Sequence, residues 1–197
     1  MSTRESAASP AKSKTYRLKV SLRGSRPPIW RRLEVDAGVT LAGLHDILQV
    51  VMGWTDSHLH QFRRGTTYYG EPDPEMGMER ADERRVPLCK VLRRPKDRMV
   101  YEYDFGDGWE HDVVLETIDE AGGAKAPPRV LAGRGACPPE DVGGIGGYYR
   151  FLEAIEDPKH PEHGELLEWG GPFDPDGFEI DEINGYFQKR SRKRRDA

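Results

Sequence analysis

Hydrophobic residues fall into short blocks whose spacing predicts the elements in turn. In YRLKVSLRG (16–24), Leu18, Val20 and Leu22 alternate with polar neighbours, the period of a half-buried strand. After a turn at Ser25-Arg26-Pro27-Pro28, IWRRLEV (29–35) predicts a second strand that pairs with the first as a hairpin. Thr40 is an N-cap for a helix over 41–52, where Leu41, Leu44, Leu48, Val51 and Met52 recur at helical spacing and Gly53 supplies the stop. SHLHQFRR (57–64) predicts a strand with His58, His60 and Phe62 on one face. The opening unit is therefore β-β-α-β, an arrangement of α+β domains.

Further along, GEPDPEMGMERADERR (70–85) reads as a polar surface loop with room for one helical turn, and VPLCKVL (86–92) as a short apolar piece of either type. RMVYEYDFGDGWEHDVVLETI (98–118) is a central β-hairpin, the clearest pattern in the chain. A two-residue Asp107-Gly108 turn would put Asp104 opposite His111. A three-residue Gly106-Asp107-Gly108 loop would put Phe105 opposite Trp109 and Tyr103 opposite His111. Hydrophobic matching favours three residues, because that register gathers Met99, Tyr101, Tyr103 and Phe105 with Trp109, His111, Val113 and Leu115. The other face then holds Glu102, Asp104, Glu110, Asp112 and Glu116, whose repulsion needs relief from solvent, arginine neighbours or a cation. Residues 126–147 predict an extended piece and an irregular Gly/Pro loop, and helices follow over 148–157, 163–169 and 178–190. The expected whole is a single α+β domain: a mixed or antiparallel sheet with an opening β-β-α-β unit, a central β-hairpin and C-terminal helices.

Composition narrows the function classes. The 197 residues are 36% hydrophobic and 32% charged, with 22 Gly and 15 Pro, so the chain is polar and rich in turns. No apolar run approaches the roughly 20 residues of a membrane span. The polar opening MSTRESAASPAKSK leads us to expect no secretory leader, and two cysteines fit a reducing, cytoplasmic setting better than a disulfide scaffold. The net charge of −4 hides a split: residues 189–197 carry +5 and residues 1–14 carry +2, which leaves −11 on residues 15–188. An acidic body disfavours a broad nucleic-acid face. We therefore expect a disordered tail over 1–14, a domain over 15–188 and a basic disordered tail over 189–197, with any weak nucleic-acid contact confined to 189–195.

Several residues could carry chemistry. His58 and His60 on one strand face could share a metal, and a buried His111 would need a hydrogen-bond partner. Cys137-Pro138-Pro139-Glu140-Asp141 with histidines from elsewhere could form a metal site, and the helix start after Gly143-Gly144 could hold an anion. Asp104-Phe105-Gly106 matches the kinase magnesium motif by spelling alone, since the catalytic-loop motif and the length of a kinase are missing. A P-loop GK[ST] and a GxSxG elbow are both absent.

Three blocks in order, GWTDSHLHQF (53–62), YEYDFGDGWEHDVVLE (101–116) and CPPEDVGGIGGYYRFLEAI (137–155), resemble the plasmid pRiA4b ORF-3-like family over about 15–188. The resemblance implies one α+β domain of bacterial or archaeal type, often associated with plasmids and insertion elements. It places the family's recurrent positions at His60, Tyr103, Asp104, Asp107, Trp109, His111, Cys137, Glu140 and Asp141. Some relatives carry a resolvase label, which this chain does not support: its early serines lie in the expected tail or first strand, and no helix-turn-helix is evident. The first functional reading is an accessory or interaction protein of mobile-element origin without catalysis. The second is a metal-dependent, hydrolase-like enzyme in which His60, His111, Cys137 and Glu140 hold a divalent transition metal.

Overall fold

The computed structural model describes residues 14–72, 80–120 and 126–195. Residues 1–13 of the tail expected over 1–14, residues 73–79 of the expected surface loop, residues 121–125 and residues 196–197 lie outside them, and Lys14 already belongs to the first strand. The strands are Lys14–Leu22 (β1), Trp30–Asp36 (β2), His60–Arg64 (β3), Thr67–Gly70 (β4), Ala81–Asp82 (β5), Arg98–Tyr103 (β6), Trp109–Glu120 (β7) and Arg129–Arg134 (β8). The helices are Leu41–Met52 (α1), Leu88–Val91 (α2), Gly144–Glu156 (α3), His163–Gly170 (α4) and Ile180–Arg195 (α5). One eight-stranded sheet runs in the order β5-β4-β3-β6-β7-β1-β2-β8, antiparallel throughout except for the β4–β5 pair. The fold is thus a single α+β domain with a mixed sheet.

The opening unit follows from its pattern. β1 and β2 pair antiparallel with Leu18 opposite Leu33, and Tyr16, Leu18, Val20 and Leu22 are all buried. Thr40 caps α1 by accepting from the Gly43 amide (3.1 Å), and Gly53 ends it in the left-handed region at φ 85°. One buried cluster joins the inward residues of β1, β2, β6 and β7 to Leu41, Leu44, Leu48 and Val51 of α1 and to Tyr148 and Phe151 of α3.

Arg31 lies inside this core, 1% exposed, where the alternation of β2 predicts an apolar residue. Its guanidinium donates to the carbonyls of Val51 (2.9 Å), Trp30 (3.0 Å), Arg134 (2.9 Å) and Gly135 (2.8 Å) and stacks 3.7 Å over the Phe178 ring. It ties the end of α1 to β2 and β8. Burial lowers its pKa to about 10, which leaves it cationic at neutral pH.

Within its strands the hairpin keeps its expected faces but not its expected register, while Asp104, expected on the acidic face, is buried in the loop and Phe105, expected on the aromatic face, is half-buried there. Tyr103 pairs with Trp109 and Tyr101 with His111, two residues away from the three-residue reading. The loop is five residues, 104–108, because Asp104 leaves the ladder at φ 56° and its Oδ1 accepts from the amides of Gly106 (2.9 Å) and Asp107 (3.3 Å). A shift of two residues preserves the alternation, so Met99, Tyr101, Tyr103, Trp109, His111, Val113 and Leu115 are all buried. On the acidic face Arg23 pairs with Glu110 (2.6 Å) and Asp112 (2.7 Å), and Arg32 with Glu116 (2.7 Å). Arginine therefore relieves Glu110, Asp112 and Glu116, and the Gln61 amide, donating to Glu102 (2.6 Å), relieves the fourth.

Other departures are local. The expected strand over 57–64 begins only at His60, and the apolar piece over 86–92 contains the short helix α2. α3 starts at Gly144 rather than 148. The segment expected to be a basic disordered tail continues α5 as helix to Arg195. α5 is pinned by Asn184, whose side-chain amide accepts from Val130 N (2.8 Å) and donates to Val130 O (3.0 Å), closing the outer edge of β8 as another strand would. Among the described residues no helix is long and apolar enough to cross a membrane.

Candidate metal centre

Three loops meet at one end of β3, β6 and β7: residues 53–59 after α1, the hairpin loop 104–108, and residues 135–143 before α3. Trp54 donates its indole N–H to Pro138 O (3.1 Å), Thr55 donates its hydroxyl to Glu140 Oε2 (2.5 Å), and Gly143 N donates to Asp107 Oδ2 (3.1 Å). The last bond gives the start of α3 its own carboxylate, so Asp107 occupies the place expected for a bound anion.

Within this junction His58, Asp104 and Asp141 converge. His58 Nε2 lies 3.2 Å from Asp141 Oδ1 and 3.7 Å from Asp104 Oδ2. That nitrogen is shut off from solvent yet makes no hydrogen bond. The 3.2 Å contact is at the long end of N–H···O distances and the 3.7 Å contact lies beyond them. The 3.2 Å separation also suits two donors on one ion, since ligands about 2.1 Å from a metal at tetrahedral or octahedral angles sit about 3.0–3.4 Å apart, and Asp104 Oδ2 at 3.7 Å would close in by about 0.3 Å to join them. Asp104 and Asp141 both adopt left-handed backbone, at φ 56° and 60°, a conformation that aspartate tolerates and that concentrates at functional sites. Asp104 is buried at 7%, whereas the Asp141 side chain is 70% exposed, so the site opens to solvent on one side. Glu110, Asp112 and Glu116 have arginine partners and Glu102 accepts from Gln61 (2.6 Å); Asp104, Asp107, Glu140 and Asp141 instead meet backbone amides, hydroxyls and His58.

A second group of donors, His45, Asp56 and His60, lies alongside. Three of its imidazole nitrogens are committed to ordinary hydrogen bonds. His45 bonds Tyr101 Oη (2.9 Å) and Asp56 Oδ1 (2.8 Å), and His60 Nε2 faces both oxygens of the buried Glu83 (3.1 and 3.0 Å). The two imidazoles stack with centroids 3.4 Å apart, and burial, followed by the charge of His60, lowers the pKa of His45. This group is a hydrogen-bonded network that runs from the buried His45 and Glu83 out to the exposed Asp56.

The four donors expected to hold a metal do not assemble. Among the described residues, neither close group of three donors contains His111, Cys137 or Glu140. His111 is fully buried under Trp54 and Tyr101, and burial takes its pKa down to about 4. Cys137 packs on the core, where burial raises the thiol pKa and opposes the thiolate that a metal needs. Glu140 has both oxygens engaged by Tyr103 and Thr55, and Trp109 is wholly core. Tyr103 is held as a neutral donor, its pKa raised by burial and then by Glu140. His58, present in the sequence pattern but assigned to a strand shared with His60, is the ligand-type residue that the sequence set lacked. The signal for it was the polar Thr55-Asp56-Ser57 run, which delays the strand. His45 and Glu83 carry no local signal.

The fold and this junction define a single-domain α+β protein with a solvent-open His/Asp/Asp centre built from three loops. The chain belongs to the plasmid pRiA4b ORF-3-like proteins, whose family model matches residues 14–182. It is similar to the uncharacterized protein y4hQ of Sinorhizobium fredii, 45% identical over 161 residues that cover 81% of this chain and 82% of that protein. It is also similar to a crystal structure of MM3350, a protein of unknown function from Methanosarcina mazei Go1. The TM-score is 0.77 with 34% identity, over 87% of this chain and 98% of that one.

Proposed function

We propose that the protein binds a divalent cation through His58 Nε2, Asp104 and Asp141, and uses it in metal-assisted hydrolysis. The observation that carries this reading is the buried Nε2 of His58, which makes no hydrogen bond and lies 3.2 and 3.7 Å from two carboxylates. One nitrogen and two oxygens suit Mn2+ or Zn2+, and three protein donors leave positions for water and substrate. A bound cation would lower the pKa of such a water and polarise a substrate oxygen. The exposed side of Asp141 is the route by which both would enter. The test is calorimetric titration of chelator-treated protein with Zn2+ and with Mn2+, followed by a hydrolase screen. Asp104→Asn keeps a residue that tolerates the left-handed backbone, and we expect it to lose at least tenfold in affinity. Wild-type protein that takes up neither ion overturns the reading.

One observation favours an accessory role beside it. The basic run 189–195 is a helical continuation of α5, pinned by Asn184 to β8 and by Arg190 to Asp46 (3.1 Å). This arrangement suits a weak phosphate contact in a protein of mobile-element origin. Binding to duplex DNA that weakens with salt and vanishes on deletion of 189–197 supports it; binding that survives the deletion removes it. Cys89 and Cys137 are free thiols, in keeping with a reducing cytoplasm.

A further inference from the structure

We propose that Tyr103 is the positioning residue of this centre, its hydroxyl setting the spacing of all three ligands. The inference rests on the cation reading above and names how that site is held. Each ligand residue immediately follows a member of one hydrogen-bonded set. Ser57, which precedes His58, donates its amide to Tyr103 Oη (3.0 Å). Tyr103 itself precedes Asp104. Its hydroxyl donates to Glu140 Oε1 (2.5 Å), and Glu140 precedes Asp141. One oxygen atom is therefore linked to three chain segments at a point one residue before each ligand, and adjacent Cα atoms are only about 3.8 Å apart.

The hub is itself fixed. The Tyr103 side chain is buried at 0% and stacks on Trp54 with centroids 4.8 Å apart, while Trp54 is tied to Pro138 O. The second oxygen of Glu140 accepts from the Thr55 hydroxyl (2.5 Å) and amide (3.3 Å), so loop 53–59 and loop 135–143 are joined twice. The other bonds between these loops join them pairwise, whereas the Tyr103 hydroxyl meets all three beside the ligands, and donors must be placed to within a few tenths of an ångström to share an ion. Groups that orient metal ligands without touching the metal are typically worth about 10–100-fold in affinity.

Tyr103→Phe keeps the ring and removes the hub. A control is Tyr16→Phe in β1, which also deletes a buried, hydrogen-bonded hydroxyl, one that donates to the Leu92 carbonyl (2.9 Å) away from the centre. The full chain, stripped with chelator, is titrated with Co2+ and followed by its visible d–d spectrum, with thermal midpoints recorded in parallel. We expect Tyr103→Phe to weaken Co2+ binding about 10–100-fold and to alter the band positions. Tyr16→Phe loses comparable stability but binds as wild type. Glu140→Ala, at the partly exposed end of the same link, gives the same loosening should Tyr103→Phe fail to fold. Glu140→Gln, which retains an acceptor for Tyr103, restores binding. Co2+ binding by Tyr103→Phe or Glu140→Ala within about twofold of wild type, with an unchanged spectrum, overturns the positioning role and leaves the cation site standing. Wild type that shows no Co2+ spectrum overturns both.

Discussion

Acidification from pH 7 to pH 5 destabilises the protein through His111, and the magnitude follows from the imidazole's surroundings. His111 is 0% exposed. Its Nδ1–H donates to Tyr101 O (3.3 Å), a tautomer assigned from that geometry, and Nε2 is sealed without a partner. Protonation would create a buried cation with an N–H that has no acceptor. Burial is the main cause that takes the folded pKa to about 4, and the charge of Arg31 adds to it. The unfolded value is about 6.5, so between pH 6.5 and 4 the unfolded chain binds the extra proton. The folded state is fully favoured above that window and loses ground as pH falls through it. At pH 5 the loss is about 2 kcal/mol, or about 4–8 °C in midpoint for a chain of this size. The assay is urea unfolding at pH 7 and pH 5 for wild type and His111→Phe, which leaves the carboxylates and His45 to titrate alike in both. The drop between the two pH values should be about 2 kcal/mol smaller in the variant. Equal drops in the two proteins refute the buried-neutral account of His111.

Arg31→Met keeps an apolar stem but strands the buried carbonyls of Val51 and Gly135, at about 1–3 kcal/mol each; an unchanged urea midpoint would contradict its role as a clamp. Gly147→Ala would place a Cβ 1.8 Å from Val142 O, so the start of α3 must shift. We expect a loss of about 1–3 kcal/mol in urea unfolding, together with weaker Zn2+ binding because Asp141 lies on the displaced loop. Wild-type stability and affinity in that variant would show the loop to be free of α3.

Sequence pattern located most of the framework, and its failures have physical causes. α1 was legible to the residue because Thr40, five apolar positions at helical spacing and Gly53 agree. The hairpin faces were legible and its register was not. Alternation has a period of two and cannot distinguish pairings that differ by two residues, and Asp104 adds backbone geometry that hydrophobic matching does not weigh. Of the expected site residues, Asp104 and Asp141 meet in the His/Asp/Asp centre, and Tyr103 and Glu140 brace it. His60, His111 and Cys137 face elsewhere, because a histidine or cysteine beside aromatic residues reads the same from sequence whether it lines a cleft or fills a core. Arg31 was invisible for a related reason: nothing local reveals that backbone carbonyls from α1, β2 and β8 will surround it.

The central claim is the placement of a cation, and a crystal structure of the protein grown with Zn2+, with anomalous data on both sides of the zinc edge, tests it most directly. The account predicts a peak within about 2.0–2.2 Å of His58 Nε2 and of one oxygen each from Asp104 and Asp141. A peak only at His45, Asp56 and His60, or none at either group, would contradict it.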